Sequence, residues 1–273
     1  MKRKLVCLLL AGTALLCGCA RGETAQEGTM RVTFFQAGAA DAILIQTPQS
    51  AVLIDAGLRG DGDELVASLR EKGVERLDAL VITHYDKDHV GGAPTVLEAL
   101  PVAEIYQPDY VKDAKPYERW QKALQKTGAA VHTLSGDTAF TLDGARYAVS
   151  TARKRAYDKD ESNNFSLVVR LEWGGNSFLL AGDCEQERLA ELLDAGVAGC
   201  DVLKVPHHGR LDARSEEFFA AASPRWAVIT SDAEEPEDAE VLALLEALGA
   251  RTLLTREGEI IFETDGKTLR CTQ

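Results

Sequence analysis

The fold is decided by the stretch Ala79-Leu80-Val81-Ile82-Thr83-His84-Tyr85-Asp86-Lys87-Asp88-His89, in which an apolar run leads directly into potential metal ligands. The apolar part predicts a buried β-strand. His84 and Asp86 stand two positions apart at its end, so we expect their side chains on the same side. Asp88 and His89 follow where the chain turns toward a helix, and Gly91-Gly92 would let the backbone pack closely behind them. The pattern predicts a metal site; the alternative is an exposed polar loop with chance histidines.

Two later apolar strands end in the same kind of residue. The run Phe178-Leu179-Leu180-Ala181-Gly182-Asp183 ends in an aspartate, and Asp201-Val202-Leu203-Lys204-Val205-Pro206 leads into His207-His208-Gly209. Taken singly, each ending is an ordinary turn signal. Beside the first cluster, Asp183 becomes a candidate bridge, because a carboxylate has two oxygens and paired metal ions lie about 3.5–4 Å apart. The sequence leaves open which of the two adjacent histidines binds metal.

The rest of the chain predicts strands first and then strands alternating with helices. Predicted strands cover residues 31–36, 41–46, 51–55, 79–83, 147–151, 166–172, 177–181, 201–205, 226–229, 252–254 and 259–263, and predicted helices cover 63–72, 92–100, 116–126, 185–195, 215–222 and 237–248. A single sheet of so many strands would be very wide. We therefore expect an α/β (α+β) fold, a four-layer αββα sandwich forming a single domain over residues 30–273.

Composition excludes several classes of protein. The 273 residues are 45% hydrophobic and 27% charged, which argues against wholesale disorder. The formal net charge of −13 argues against a general nucleic-acid coat protein, because such proteins neutralise phosphates with a basic surface. A local basic groove or bound metal cations remain compatible with this charge.

The N-terminus has the pattern of an export signal. Lys2-Arg3-Lys4 precedes a short apolar run that ends at Leu16-Cys17-Gly18-Cys19, which resembles a bacterial lipobox. We expect residues 1–18 to be a lipoprotein signal peptide and residues 19–29 to contain the lipidated Cys19 and a flexible tether. The alternative is an ordinary cleaved signal. The expected location is extracytoplasmic, lipid-anchored to the bacterial cell membrane, with no transmembrane helix in the mature protein.

The cysteines downstream of that segment do not predict a metal cluster. Cys184, Cys200 and Cys271 show no C-x-x-C spacing, so we expect small core residues, and their odd number leaves at least one thiol free unless it pairs between chains.

Several ordered motifs resemble the metallo-β-lactamase superfamily, and more narrowly the soluble domain of ComEC-type competence proteins. The motifs are Leu53-Ile54-Asp55-Ala56-Gly57, His84-Tyr85-Asp86-Lys87-Asp88-His89, Ser162-Asn163-Asn164-Phe165-Ser166-Leu167-Val168, Leu180-Ala181-Gly182-Asp183 and Leu203-Lys204-Val205-Pro206-His207-His208-Gly209. The second is similar to the superfamily's HxHxDH with its second His replaced by Asp. The resemblance implies the αββα fold and a metal-dependent hydrolase, and it spans nearly all of residues 30–270.

The resemblance also implies roles for individual residues. One metal ion would use His84 and Asp86 and the other Asp88 and His89, with Asp183 shared and His207 completing the set. Asp88 and His208 are the candidates for catalytic roles. His208 would either transfer a proton or contact a metal ligand rather than the metal. Supporting roles fall to Asp55, Asn163 and Asn164. Asp86 makes the site rich in oxygen, so Mn²⁺ stands beside Zn²⁺ as the expected metal, with one or two divalent ions bound.

The sequence departs from the ComEC pattern around the expected substrate rim. Arg210 follows Gly209 where a serine is usual, Glu234-Glu235-Pro236 stands where Gly-His-Pro is common, and the early Gly-Gln-Gly-Asp is Gly38-Ala39-Ala40-Asp41. The metal ligands are therefore retained, while the substrate is open.

Three functions fit these observations. The ComEC resemblance implies phosphodiester cleavage, with DNA or another phosphodiester as substrate. Substrate-binding candidates are Arg210, Lys112 and Lys115, the last two in a basic stretch with Arg119, Lys122 and Lys126, and Arg153-Lys154-Arg155 forms a second basic run. These cations could equally lie on a solvated helix face. The alternatives are a small-molecule hydrolase of the same fold, acting on a phosphoester, lactone or amide, and a non-catalytic metal-binding surface lipoprotein. No protein partner is indicated.

Overall fold

Alternating apolar residues build two mixed β-sheets with helices on their outer faces. The computed structural model describes residues 28–158 and 161–273, so the predicted signal segment and Cys19 lie outside the described residues. The strands are β1 (Met30–Phe34), β2 (Ile43–Gln46), β3 (Ala51–Ile54), β4 (Leu77–Val81), β5 (Val102–Pro108), β6 (Ala130–Leu134), β7 (Thr138–Leu142), β8 (Ala145–Ser150), β9 (Val168–Trp173), β10 (Asn176–Leu180), β11 (Val202–Lys204), β12 (Trp226–Ile229), β13 (Arg251–Leu254), β14 (Ile260–Thr264) and β15 (Leu269–Thr272).

The helices follow the strands in the alternation that the sequence predicts. They are α1 (Gly62–Glu71), α2 (Ala93–Ala99), α3 (Lys115–Leu124), the short α4 (Glu161–Asn164), α5 (Gln186–Ala195), α6 (Ser215–Ala222) and α7 (Ala239–Ala247). Among the described residues, none of these helices combines the length and apolar character needed to cross a bilayer.

The strand order explains how distant parts of the chain meet. One sheet runs β15-β14-β1-β2-β3-β4-β5-β6 and the other β13-β12-β11-β10-β9-β8-β7. Strands β3, β4 and β5 are parallel in the first sheet, as are β10, β11 and β12 in the second. The carboxyl ends of parallel strands share one edge of a sheet, and such edges are where α/β proteins place their sites.

Three apolar layers hold the two sheets and the helices together. Side chains such as Phe34, Tyr147, Phe178 and Phe262 fill the space between the sheets. Helices α1, α2 and α3 cover the first sheet, and Trp120 of α3 is fully buried in the layer between them. Helices α5, α6 and α7 cover the second sheet. The expected four-layer αββα architecture is confirmed.

Four strands lie outside the predicted set: β5, β6, β7 and β15. Strand β5 ends in a proline, and β6 is an edge strand whose side chains are mostly exposed. Neither has the alternation or continuous apolar run by which a strand is recognised.

The downstream cysteines behave as free thiols. Cys184 and Cys200 are buried and Cys271 is partly buried, and none of the three is in a disulfide within the described chain. This confirms the expectation that at least one thiol is free.

The paired glycines before α2 permit close backbone contacts. A Cβ on Gly91 would lie 2.1 Å from the Lys87 carbonyl oxygen, and one on Gly92 would lie 2.2 Å from the Ala56 carbonyl oxygen. The loop that carries Asp88 and His89 is thereby held against the chain that follows β3.

Replacing Gly91 by Ala is therefore expected to lower the free energy of unfolding by about 1–3 kcal/mol, because the new methyl group forces the backbone apart. The midpoint of urea denaturation measures this loss. Gly128→Ala is the matched control, since no atom lies within 4 Å of its added Cβ. Equal midpoints for both variants would contradict the close approach.

Candidate metal centre

Four of the predicted site residues meet at the seam between the two sheets. Asp88 and His89 follow β4, Asp183 follows β10, and His208 follows β11. One possible ligand atom from each lies within 4.8 Å of the others. All lie beyond the carboxyl ends of parallel strands, as the sequence pattern predicts.

Asp183 is the centre of this group. Its Oδ2 lies 3.1 Å from His89 Nε2, 3.1 Å from His208 Nε2 and 4.0 Å from His84 Nε2. All three Nε2 atoms are buried, and none makes a hydrogen bond among the described residues. Buried polar atoms are nearly always satisfied. Three imidazole nitrogens converging on one carboxylate oxygen without hydrogen bonds therefore fit a bound divalent ion, to which imidazole and carboxylate are both ordinary ligands.

Asp55 determines the orientation of His89. It is completely buried after β3 and accepts hydrogen bonds from Thr83 N at 2.8 Å, Thr83 Oγ1 at 2.6 Å and His89 Nδ1 at 2.8 Å. A carboxylate can only accept, so His89 donates from Nδ1 and turns its Nε2 toward Asp183. Asp55 thus lies behind the cluster in a supporting position.

His208 is oriented in the same way from the other sheet. Its Nδ1 lies 2.9 Å from the Thr230 carbonyl oxygen, to which it can donate, and Thr230 Oγ1 donates to Asp41 Oδ1 at 2.6 Å. The Nε2 atom is left facing Asp183 and lies 3.5 Å from Asp88 Oδ2. Thr230 therefore orients the ring of His208, as Asp55 orients the ring of His89.

His207 takes a different direction from its neighbour. His207 and His208 have φ angles of 47° and 53°, so the backbone runs left-handed and the two rings diverge. His207 Nδ1 lies 3.1 Å from Glu185 Oε1 and its side chain is 34% exposed, against 8% for His208. The structure therefore brings His208 into the cluster and leaves His207, the residue expected from sequence as the last ligand, outside it.

Asn163 and Asn164 attach to α5 rather than to the cluster. Asn163 Nδ2 donates to Glu185 Oε1 at 2.7 Å, and Asn164 Oδ1 accepts from Arg188 N at 2.9 Å. Their contacts connect α4 with α5. Asn163 thereby contacts the same carboxylate as His207, and neither of these two hydrogen bonds involves Asp183.

Asp86 contacts two polar groups that lie outside the four-residue cluster. It forms an ion pair with Lys112 and accepts a hydrogen bond from Ser162 Oγ, while its Oδ1 lies 4.0 Å from His84 Nε2. His84 and Asp86 are therefore close to each other, but Asp86 already has a cationic partner.

Lys204 and Asp41 lie beneath Asp183 and were absent from the predicted site. Lys204 Nζ lies 2.7 Å from Asp41 Oδ2 and 3.3 Å from Asp183 Oδ1, and it donates to the Gly182 carbonyl oxygen at 3.0 Å. All these groups are buried. The available signal was a single lysine in the otherwise apolar strand that leads to His207-His208, since a buried charge requires a partner.

The electrostatics of the cluster follow from burial and this pairing. Burial would raise the pKa of Asp183, but His208, His89 and Lys204 outweigh it and hold that pKa well below its usual range. Burial lowers the pKa of His84 to about 4. For His208 burial acts in the same direction, yet Asp183 outweighs it and raises the pKa to about 9. Asp183 and Asp55 likewise outweigh burial at His89 and raise its pKa well above its usual range. An incoming metal ion would therefore displace a proton from His89 and from His208, whereas His84 is already neutral at pH 7.

The remaining substrate-binding candidates lie around the site or away from it. Arg210 is half-exposed, 3.8 Å from Glu235 and 3.7 Å from Asp238. Lys115 begins α3 and is exposed. The basic run at residues 153–155 is neutralised, because its members pair with Asp137, Glu187 and Asp109. Only Lys112 of these cations contacts a predicted ligand among the described residues.

Known proteins share this sequence pattern. The family model of the metallo-β-lactamase superfamily matches residues 36–229. The chain is 32% identical over 203 residues to ComE operon protein 3 of Bacillus subtilis (strain 168), covering 72% of this chain and 26% of that protein. It is 31% identical over 231 residues to competence protein ComA of Neisseria gonorrhoeae, covering 82% and 30%. The chain therefore spans less than a third of the length of these curated relatives.

Solved structures show the same fold at low identity. The metallo-β-lactamase fold protein YhfI from Bacillus subtilis is 14% identical, with a TM-score of 0.59 over 87% of this chain and 100% of that one. A diphosphatase from the PhnP family is 15% identical, with a TM-score of 0.52 over 85% and 96%. These likenesses concern the arrangement of the backbone.

The divergence of His207 and His208 gives a direct test. His208→Ala is expected to weaken Mn²⁺ or Zn²⁺ binding at least about 100-fold, since loss of an outer partner of a ligand alone costs about 10–100-fold. His207→Ala is the matched control and should keep the affinity within about threefold. Isothermal titration calorimetry measures both, with circular dichroism to confirm folding. A larger loss in His207→Ala would restore His207 as the ligand.

Proposed function

The chain belongs to the metallo-β-lactamase superfamily, and we propose that it is a metal-dependent phosphodiesterase that cleaves DNA outside the cytoplasm. The observation that carries the hydrolase part is the convergence of three buried Nε2 atoms on Asp183 Oδ2. The DNA part is supported by the competence proteins that the chain resembles at 31–32% identity.

The reaction would be a hydrolysis in which water attacks a phosphodiester. A divalent ion, when bound, supplies Lewis-acid activation of the water and neutralises charge that develops on the phosphate. Asp88, His89, Asp183 and His208 are the residues that would hold it. His84 lies beside them, its ring centroid 4.1 Å from that of His89.

The protein's own contribution is to fix these groups before substrate arrives. Asp55 sets the ring of His89, Thr230 sets the ring of His208, and Lys204 holds Asp183 by its second oxygen. Each contact is buried, so little reorganisation is needed during the reaction. Asp88 is the most exposed member of the cluster, with 21% of its side chain accessible, and it faces His208 Nε2. Asp88 is accordingly our candidate for accepting a hydrogen bond from the attacking water; His208 and His89 outweigh burial and hold its pKa below its usual range, so the carboxylate stays ionised.

Two cations at the periphery suit an anionic substrate. Lys112 forms an ion pair with Asp86, and Arg210, which follows the turn that carries His208, lies 3.7–3.8 Å from its acidic partners in the described part of the chain. Both side chains are partly exposed and could contact a phosphate oxygen.

A second candidate is hydrolysis of a small phosphoester. The neutralised basic run at residues 153–155 favours it, because a long polyanion gains its affinity from cations that are free to replace counterions. The two candidates differ in substrate length and share the metal chemistry.

The test is cleavage of a fluorescent single-stranded DNA by the protein from residue 20 onward, with added Mn²⁺. We expect metal-dependent cleavage that falls at least about 100-fold in Asp183→Asn, which keeps the shape of the side chain and removes its charge. Asp63→Asn, on the exposed face of α1, is the matched control.

The outcomes separate the two candidates. Metal binding without DNA cleavage would overturn the nuclease proposal, and turnover of bis(p-nitrophenyl) phosphate or a phosphomonoester would then identify the small-molecule hydrolase. Metal binding without turnover of any of these substrates would indicate the surface binding protein.

We also propose that the protein is exported and lipid-anchored through Cys19, on the pattern of residues 1–19. Expressed as the full chain in a bacterial host, the wild type should partition into the detergent phase of Triton X-114, and Cys19→Ala should shift to the aqueous phase. Cys17→Ala is the control and should stay with the detergent. Aqueous partitioning of the wild type would contradict the anchor.

A further inference from the structure

We propose that the site holds a single divalent ion, because the Lys112 ammonium group occupies the Asp86 oxygen that a second ion would require, while Lys204 restricts Asp183 to its other oxygen. This inference rests on the proposed metal-dependent function and concerns the number of ions rather than the reaction. Lys204 ends β11 of the second sheet, and Lys112 follows β5 of the first sheet. The two lysines contact different carboxylates.

Lys204 occupies one oxygen of Asp183 and so excludes a bridge that uses both oxygens. To bridge two ions through both oxygens, the carboxylate would have to turn Oδ1 toward the second ion. That oxygen lies 3.3 Å from Lys204 Nζ, which is also fixed by Asp41 at 2.7 Å and by the Gly182 carbonyl oxygen at 3.0 Å. Because Lys204 is completely buried, its ammonium group has no solvent into which to move. Asp183 is left with Oδ2, the oxygen on which the histidines converge and which two ions would have to share.

Lys112 removes Asp86 as a ligand. A second ion would lie between His84 Nε2 and Asp86 Oδ1, which are 4.0 Å apart. Asp86 Oδ1 is the atom that pairs with Lys112 and accepts from Ser162 Oγ. Ser162, in α4, is itself held at 2.7 Å by Tyr110 Oη from the loop before α3, so this partner of Asp86 is fixed from two segments of the chain.

The two lysines differ in how easily they can be removed. Lys112 lies on the segment between β5 and α3, and 26% of its side chain is exposed, as is 31% of that of Asp86. Truncating Lys112 therefore leaves the core intact and frees a solvent-accessible carboxylate beside His84. Lys112 is the residue that keeps the second position closed, and its ammonium group provides there the positive charge that a second ion would otherwise bring.

The experiment counts ions. The protein from residue 20 onward is dialysed to equilibrium against Mn²⁺, and manganese per chain is measured by inductively coupled plasma mass spectrometry and by native mass spectrometry. We expect one ion in the wild type, two in Lys112→Ala and one in Lys112→Arg, which restores the cation. Lys267→Ala, an exposed lysine between β14 and β15, controls for the lost charge and should bind one ion.

A double variant locates the additional ion. Lys112→Ala combined with Asp86→Asn should return to one ion, because the freed carboxylate is gone. Two ions in the wild type, or one ion in Lys112→Ala, would overturn the inference and leave the proposed hydrolase function standing. A wild type that binds no ion would remove the proposed function as well.

Discussion

A fully buried carboxylate is stable in a protein only when cations or hydrogen-bond donors surround it, and Asp183 meets this condition by drawing on both sheets. Lys204 from β11 lies at its Oδ1, while His89, from the loop after β4, and His208 face its Oδ2. The loops after β4, β10 and β11 are therefore obliged to meet at one point. The glycines before α2 and the left-handed turn at His207-His208 are the backbone adjustments that this meeting requires.

The fold was largely predictable because apolar runs in the sequence identify its central strands. Strands such as β4, β10 and β12 are buried along most of their length, and each contains a continuous apolar run: residues 79–81, 178–180 and 226–229. The edge strand β6 is exposed along most of its length and lacks that signature. Edge strands are defined by the neighbour they pair with, here β5, and pairing is not a local property of the sequence.

The candidate site was predictable as a region, and less so residue by residue. Spacing located the three strand ends, but which of two adjacent histidines points inward depends on a φ angle that no pattern of residue types reveals. Asp86 and Asp88 look equivalent in sequence. Only tertiary contacts distinguish them, because Asp86 pairs with Lys112 and Asp88 lies beside His208. Lys204 and Asp41 could not be assigned from sequence, because each depends on the other across a separation of 163 positions that only folding closes.

The separation of these residues along the chain has a consequence for biosynthesis. Thr230 donates to Asp41 across 189 positions, and this contact completes the support of His208. A chain still being synthesised, or one crossing a membrane unfolded, has not yet brought these groups together. The earlier half, with His84, Asp88 and His89, lacks Asp183, and the later half lacks the groups that face it. The candidate metal centre can therefore form only after the chain has been synthesised as far as Thr230, so that no shorter nascent chain carries the complete and supported ligand set.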